Sequence, residues 1–223
     1  MKLYVVATPL GNLQDLSPRA LEVFQKVKFL LCEDTRKTRK LFSAYHLSSP
    51  RLISYHQHSN PKKVKEILQL LRGGENLALV SDAGTPGISD PGNKLISLAL
   101  NEINDLEIVP IPGPSALIAA LSVSGFPSDR FIFYGFLPRK KGRKKILQKI
   151  KESSWTIVFY ESGYRIKKTL EELQKMGMDK DIVVARELTK KFESIYRGSI
   201  VEVQPLLKGK DLKGEFTVVI NNK

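Results

Sequence analysis

Short runs of β-branched and aromatic residues alternate with helical apolar stripes through the first half of the chain, and this alternation constrains the fold more than any other feature. Residues 3–7, 29–32, 51–55, 77–81 and 106–110 read as strands. Between the first two, residues 17–28 open on Ser17-Pro18 and set Leu21, Phe24 and Val27 on one face. Residues 61–72 place Val64, Ile67, Leu68 and Leu71 at the i, i+3, i+4, i+7 spacing, and Gly73-Gly74 ends that stripe. Residues 91–100 and 114–123 supply two more helices with proline near their first turns. Such alternation packs helices on both faces of a mainly parallel sheet. An α/β lobe is therefore expected over residues 1–125.

The alternation pauses at Gly125-Phe126-Pro127-Ser128-Asp129, which reads as a linker. Beyond it, residues 131–136, 156–160, 182–187, 194–198 and 215–220 read as strands. A basic loop and helix follow the first of these, and residues 166–176 form another helix. Late strands with no helices between them predict a mixed or antiparallel sheet. A second α/β lobe is expected over residues 126–223, and no internal repeat is visible.

Composition narrows the class. One cysteine, Cys32, excludes a disulfide framework and a cysteine-based metal site. The apolar run at residues 3–7 is broken by Pro9, Gly11 and Asn12, so it reads as a strand and not a signal peptide. No stretch approaches the ~20 apolar residues of a membrane span. A cytoplasmic protein with no membrane partner is expected. Lys and Arg number 36 against 23 Asp and Glu, a net charge of +13. That surplus points to a polyanionic partner, with nucleic acid foremost.

Three loops at strand ends invite a ligand. Ser81-Asp82-Ala83-Gly84-Thr85-Pro86-Gly87-Ile88-Ser89-Asp90-Pro91-Gly92 runs from a strand to a helix, and it is longer and richer in small polar residues than a plain connection requires. Its glycines let backbone approach a ligand, its prolines stiffen it, and Asp82 can accept hydrogen bonds from a ribose or an amine. Asp90 is a candidate cap for the following helix. Pro110-Ile111-Pro112-Gly113-Pro114-Ser115-Ala116 repeats the arrangement, with Ser115 at a helix start. Thr8-Pro9-Leu10-Gly11-Asn12-Leu13 follows the first strand. In an open parallel sheet, loops at the carboxyl ends of the strands line one crevice. Neither a G-x-G-x-x-G fingerprint nor a G-x-x-x-x-G-K-[ST] loop is present, which argues against NAD- and ATP-dependent chemistry.

Seven blocks together resemble the tetrapyrrole methylase superfamily. They are Ala7-Thr8-Pro9-Leu10-Gly11-Asn12-Leu13, Glu33-Asp34-Thr35-Arg36, residues 81–92, Pro112-Gly113-Pro114-Ser115-Ala116, Phe159-Tyr160-Glu161-Ser162, Ala185-Arg186-Glu187-Leu188-Thr189-Lys190 and Lys213-Gly214-Glu215-Phe216. The resemblance implies a two-lobed fold that uses S-adenosyl-L-methionine in a cleft between two α/β lobes. It is strongest to the branch that methylates the 2′-hydroxyl of a cytidine in 16S rRNA, within the 30S subunit, and it implies a homodimer. Carried over to this chain, the cofactor contacts would be Pro9, Leu10, Asp82, Gly84, Thr85, Ile88, Ser115, Ala116, Tyr160, Gly214, Glu215 and Thr217. Two blocks depart from the family. Gly163-Tyr164-Arg165 stands where Pro-His-Arg is usual, and His56-Gln57-His58-Ser59 where His-Glu-His-Asn is frequent. Tyr164 and Gln57 therefore inherit no role.

For such a reaction, in-line positioning carries much of the rate and a general base adds to it. Candidate bases are Glu33, Asp34, Glu161 and Glu187, each with an arginine nearby that would make it a structural ion pair instead: Arg36, Arg165 or Arg186. The Glu33-Asp34-Thr35-Arg36 group is favoured as the catalytic one. His56 and His58 alternate at a strand end, but no further Cys or His completes a zinc site, so no metal is expected. Arg139, Lys140, Lys141, Arg143, Lys144 and Lys145 place six cations in seven residues, a pattern suited to RNA phosphates. Two other readings remain open: methylation of a small tetrapyrrole-like substrate, which would not use the basic loop, and a non-catalytic RNA-binding assembly factor, which would not use the three loops.

Overall fold

The computed structural model describes residues 1–222. The chain forms two compact units, Met1–Ser115 and the remainder from Ala116. In the first, β1 (Lys2–Val6), β2 (Phe29–Cys32), β3 (Arg51–Ser54), β4 (Leu77–Leu79) and β5 (Glu107–Ile111) alternate with α1 (Pro18–Lys26), α2 (Thr35–Ala44), α3 (Pro61–Arg72) and α4 (Asn93–Glu102). The sheet order is β3-β2-β4-β1-β5, and every pairing is parallel. The helices form for legible reasons. Ser17 caps α1 by accepting from the Ala20 N–H, and Asn60 caps α3 by accepting from the Lys63 N–H. Proline takes the first helical turn of each. Ala20, Val23 and Phe24 of α1, and Ile67, Leu68 and Leu71 of α3, pack into cores on the sheet.

Two elements of this unit differ from expectation. Helix α2 falls in a stretch that carried no helical reading, because Thr38 and Phe42 are its only buried residues and its first half is rich in Lys and Arg. Helix α4 begins at Asn93 instead of Pro91, with Gly92 as its N-cap and no side-chain cap, so Asp90 is not the capping residue.

The second unit contains α5 (Ala116–Ser122), β6 (Phe131–Phe136), α6 (Arg143–Glu152), β7 (Thr156–Ser162), α7 (Gly163–Lys175), β8 (Asp181–Arg186), β9 (Ser194–Ser199), α8 (Ile200–Val203) and β10 (Glu215–Ile220). Its sheet runs β6-β7-β10-β8-β9; β6 and β7 are parallel, and the other pairs are antiparallel. The mixed sheet matches the expectation drawn from consecutive late strands. One face packs on α7 through Ile166, Leu170 and Leu173. The other buries Leu117, Ala120 and Leu121 of α5 against Val158, Val183, Ala185 and Val219. The division between units therefore falls before α5 and not at the Gly125 turn. The apolar face of α5, which reads like the end of the preceding β-α series, belongs to the second sheet.

Candidate functional site

Strands β4, β1 and β5 are neighbours and parallel, so the loops at their carboxyl ends must lie side by side. Direct bonds join them. The Thr8 N–H donates to the Gly84 carbonyl at 2.9 Å, and the Gly84 N–H returns a bond to the Thr8 carbonyl at 3.0 Å. Thr8 Oγ1 donates to the Ser81 carbonyl at 3.2 Å, and Thr85 Oγ1 donates to the Pro114 carbonyl at 3.0 Å. Gly84 sits at φ +78, and a Cβ there would approach Leu10 Cδ2 at 3.2 Å. A side chain at position 84 would strain the turn and push the first loop away. Pro9, Leu10, Gly84 and Thr85 are thus brought together, with Asp82 and Ile88 on the same loop. Pro9 is buried and Ile88 exposed. Ser115 closes the first unit, and Ala116 opens α5.

Strand β2 flanks β4 on the other side, which brings Glu33 and Asp34 to Asp82. The Asp34 N–H donates to Asp82 Oδ1 at 3.1 Å, and the Asp82 N–H donates to Glu33 Oε1 at 3.4 Å. Lys37 Nζ donates to Asp82 Oδ2 at 2.7 Å. Both Asp82 oxygens are therefore engaged, and each keeps a second lone pair for a ligand. Asp34 has a different occupation. It caps α2 by accepting from the Arg36 N–H at 2.8 Å, and its two oxygens take the Arg36 guanidinium at 3.1 and 2.8 Å. The Arg36 side chain holds the Asp34 carboxyl far below the ordinary aspartate range, helped by the backbone bond. Burial pushes Glu33 the other way, above the ordinary glutamate value, against the lowering bond from the Asp82 N–H. Of the two, Glu33 is made more basic by burial, whereas Asp34 is a helix cap paired with arginine.

A cavity of about 330 Å³ opens beside this cluster. Thr8, Pro9 and Ser81 line one part of it, and Lys37, Lys40 and Leu41 of α2 line another. Lys37 and Lys40 were not singled out from the sequence. Their signal was available, because Asp34 before Thr35-Arg36 is an N-cap pattern that puts Lys37, Lys40 and Leu41 on adjacent helical turns. Among the described residues no cluster of three or more His, Cys, Asp or Glu could hold a metal ion, and no helix is long and apolar enough to cross a membrane.

In the second unit, Thr217 pairs with Tyr160 across the β7–β10 ladder, and Glu215 pairs with Ser162. Tyr160, Gly214, Glu215 and Thr217 are therefore close neighbours. Gly214, at φ +111, would place a Cβ only 2.6 Å from Glu187 Cγ. Glu187 accepts from the Glu215 N–H at 2.8 Å, and Lys190 bridges Glu187 and Glu215 at 3.0 Å each. Glu161 is fully buried and held by Arg165 at 2.6 Å and by Thr169 Oγ1 at 2.9 Å. Glu161 and Glu187 are thus structural partners of cations and are not free bases.

The basic segment divides in two. Lys140, Lys141, Lys144 and Lys145 are exposed, as is Arg139. Arg143 is 9% exposed and turns inward to Glu172, Thr169 and the Pro138 carbonyl. Its assignment to RNA is corrected on that ground: α6 begins at Arg143, and the helical turn points this side chain into the core. The inward carboxylates also offset a cost, since cations at a helix N-terminus oppose the dipole.

The fold and loops define a class. Residues 2–204 match the tetrapyrrole (corrin/porphyrin) methylases. The chain is 47% identical to the ribosomal RNA small subunit methyltransferase I of Synechocystis sp., over 98% of this chain and 78% of that protein. It is 43% identical to the protein of that name from Thermotoga maritima, over 100% of this chain and 99% of that protein. The chain therefore belongs to the tetrapyrrole methylase family, on the branch of the small-subunit rRNA methyltransferases I. Uroporphyrin-III C-methyltransferase from Thermus thermophilus, solved with S-adenosyl homocysteine, shares the fold at a TM-score of 0.67 and 15% identity, over 98% of this chain and 97% of that one.

Proposed function

We propose that this chain is an S-adenosyl-L-methionine-dependent methyltransferase acting on the 2′-hydroxyl of a cytidine in 16S rRNA. The observation that carries the reading is the set of three bonded loops beside the Glu33–Asp82–Lys37 cluster, in a chain similar end to end to relatives named for small-subunit rRNA methylation. The loops suit the cofactor chemically. Close backbone at Gly84, a carboxylate with spare lone pairs at Asp82, and apolar Leu10 and Ile88 match a ribose, an amine and an adenine face. Ser115, Ala116, Tyr160, Gly214, Glu215 and Thr217 are its further proposed contacts. When bound, this cofactor supplies an electrophilic methyl carbon.

The chain's own residues then have distinct tasks. Glu33 takes the proton from the 2′-hydroxyl as the oxygen is methylated, a role its burial-raised basicity favours. Lys37 keeps Asp82 in place, and Asp34 holds the first turn of α2 beside it. Arg139, Lys140, Lys141, Lys144 and Lys145 contact RNA phosphates, which set position and not base identity. A small tetrapyrrole-like substrate would leave these exposed cations without a task.

The reading implies a cytoplasmic homodimer that works on rRNA. Transfer of labelled methyl groups to assembled 30S subunits and to naked 16S rRNA, with the modified ribose mapped, tests substrate and chemistry together. Label on a base, or on neither RNA, would sink it. Calorimetric titration with S-adenosyl-L-methionine tests the loops separately, and light scattering in solution tests the dimer.

A further inference from the structure

Three arginines of the second unit point inward and grip main-chain carbonyls. Arg143 donates to the Pro138 carbonyl at 3.1 Å, and Arg165 donates to the Leu137 carbonyl at 2.9 Å. Both are tied to the buried Glu161. Arg186 donates to the carbonyls of Lys213 at 2.8 Å and Lys210 at 3.0 Å. A buried guanidinium with several fixed acceptors holds backbone rigidly, so the segments 137–142 and 208–214 are both clamped from below. What they turn outward is cationic: Arg139, Lys140, Lys141, Lys210 and Lys213 are all exposed.

Tyr164, in the first turn of α7, stands between these two clamped loops. The next residue, Arg165, holds the first loop. The preceding one, Gly163, donates its N–H to the Gly214 carbonyl at 3.0 Å and lies so close to the second loop that a Cβ would meet the Leu212 carbonyl oxygen. Tyr164 itself is 101% exposed, an aromatic ring entirely in solvent. A naked ring between two rigid cationic loops contributes nothing to the core and has the composition of a strand-binding platform.

We propose that Tyr164 and these two loops form a binding site for an unpaired RNA strand, with one base stacked on the tyrosine ring and adjacent phosphates on the flanking cations. The strand must be unpaired, because a base face is available to a side chain only outside a duplex stack. Because the loops are already fixed, little ordering is lost on binding. The proposal rests on the rRNA reading above and adds where a strand is held.

Tyr164→Trp in a Trp155→Phe background leaves one tryptophan as reporter. It is titrated with a short unpaired RNA, with the same RNA annealed to its complement, and with an abasic version. Quenching by the unpaired RNA alone is expected. Tyr164→Ala and Tyr164→Leu should each weaken unpaired-RNA binding by roughly 5- to 150-fold, and Tyr164→Phe should retain it. Melting temperatures should stay level across the set, since the ring packs on nothing. Equal binding of duplex and single strand, or undiminished binding by Tyr164→Ala, would overturn the site. None of these readouts needs catalysis. A chain that passes them yet methylates no rRNA would defeat the proposed function and leave the strand site standing, whereas full methylation with an indifferent Tyr164 would do the reverse.

Discussion

At the scale of single residues, two neighbouring carboxylates are driven in opposite directions by what surrounds them. Glu33 is pushed up mainly by burial, so its negative form is disfavoured in the fold. Glu33→Gln should lower turnover by about 10²–10⁴-fold with cofactor affinity kept, and it should remove the rising limb of the pH–rate profile. Its stability effect has a definite sign. The protonated form is favoured by the fold, so its contribution is complete below the ordinary 4.5 and is lost as pH rises through the raised value. Asp34 runs the other way. Its pairing with Arg36 stabilises the fold above the ordinary 3.8 and is lost as pH falls toward its lowered value. Asp34→Asn keeps a good cap but removes the charge, so its melting temperature should fall less than the parent's between about pH 5 and pH 2. An identical decline in both proteins would show that the pair does not matter.

At the scale of elements, α6 shows why a charge run is not one functional unit. Helical geometry turns Arg143 inward while Lys144 and Lys145, next in sequence, stay in solvent. Neutralising Lys140, Lys141 and Lys144 should cut the slope of log K against log salt by up to about 2 units, while melting is unchanged. Arg143→Met should do the opposite. Glu161 and Glu172 would lose a buried partner, at about 3–5 kcal/mol for a broken buried pair, and the low end applies because Arg165 still holds Glu161. Thermal melts and salt-dependent binding, run on both variants, separate the two roles.

At the scale of the whole chain, helix α5 decides where one unit stops. Its residues Leu117, Ala120 and Leu121 cover Val158, Val183, Ala185 and Val219. A fragment of residues 116–223 should fold cooperatively, whereas residues 126–223 should expose that apolar face and bind a hydrophobic dye. Near-ultraviolet circular dichroism and dye fluorescence distinguish them, and equal behaviour would return the boundary to the Gly125 turn. The net charge of +13 acts at this scale too, as a long-range attraction to RNA that salt screens.

Much of this molecule is written in local pattern. The alternating strands and stripes, the caps at Ser17 and Asn60, and the Gly/Pro loops after β1, β4 and β5 follow from steric and hydrogen-bonding preferences of nearby residues. So does the meeting of those loops, since adjacent parallel strands carry their ends to one edge. Helix α2 was not read from its apolar pattern, because its two buried residues make too thin a stripe, and the Asp34 cap was its one local signal. The partners of Glu33 and Arg143 were not legible either, because they lie far along the chain, Asp82 for the first and Glu161 and Glu172 for the second, whereas the Asp34–Arg36 pair is local and was expected. Sequence by itself determined which residue types stand at the ends of the strands. Only the tertiary structure decided which carboxylate burial makes more basic and which cations face the solvent, since desolvation and pairing are properties of the packed chain.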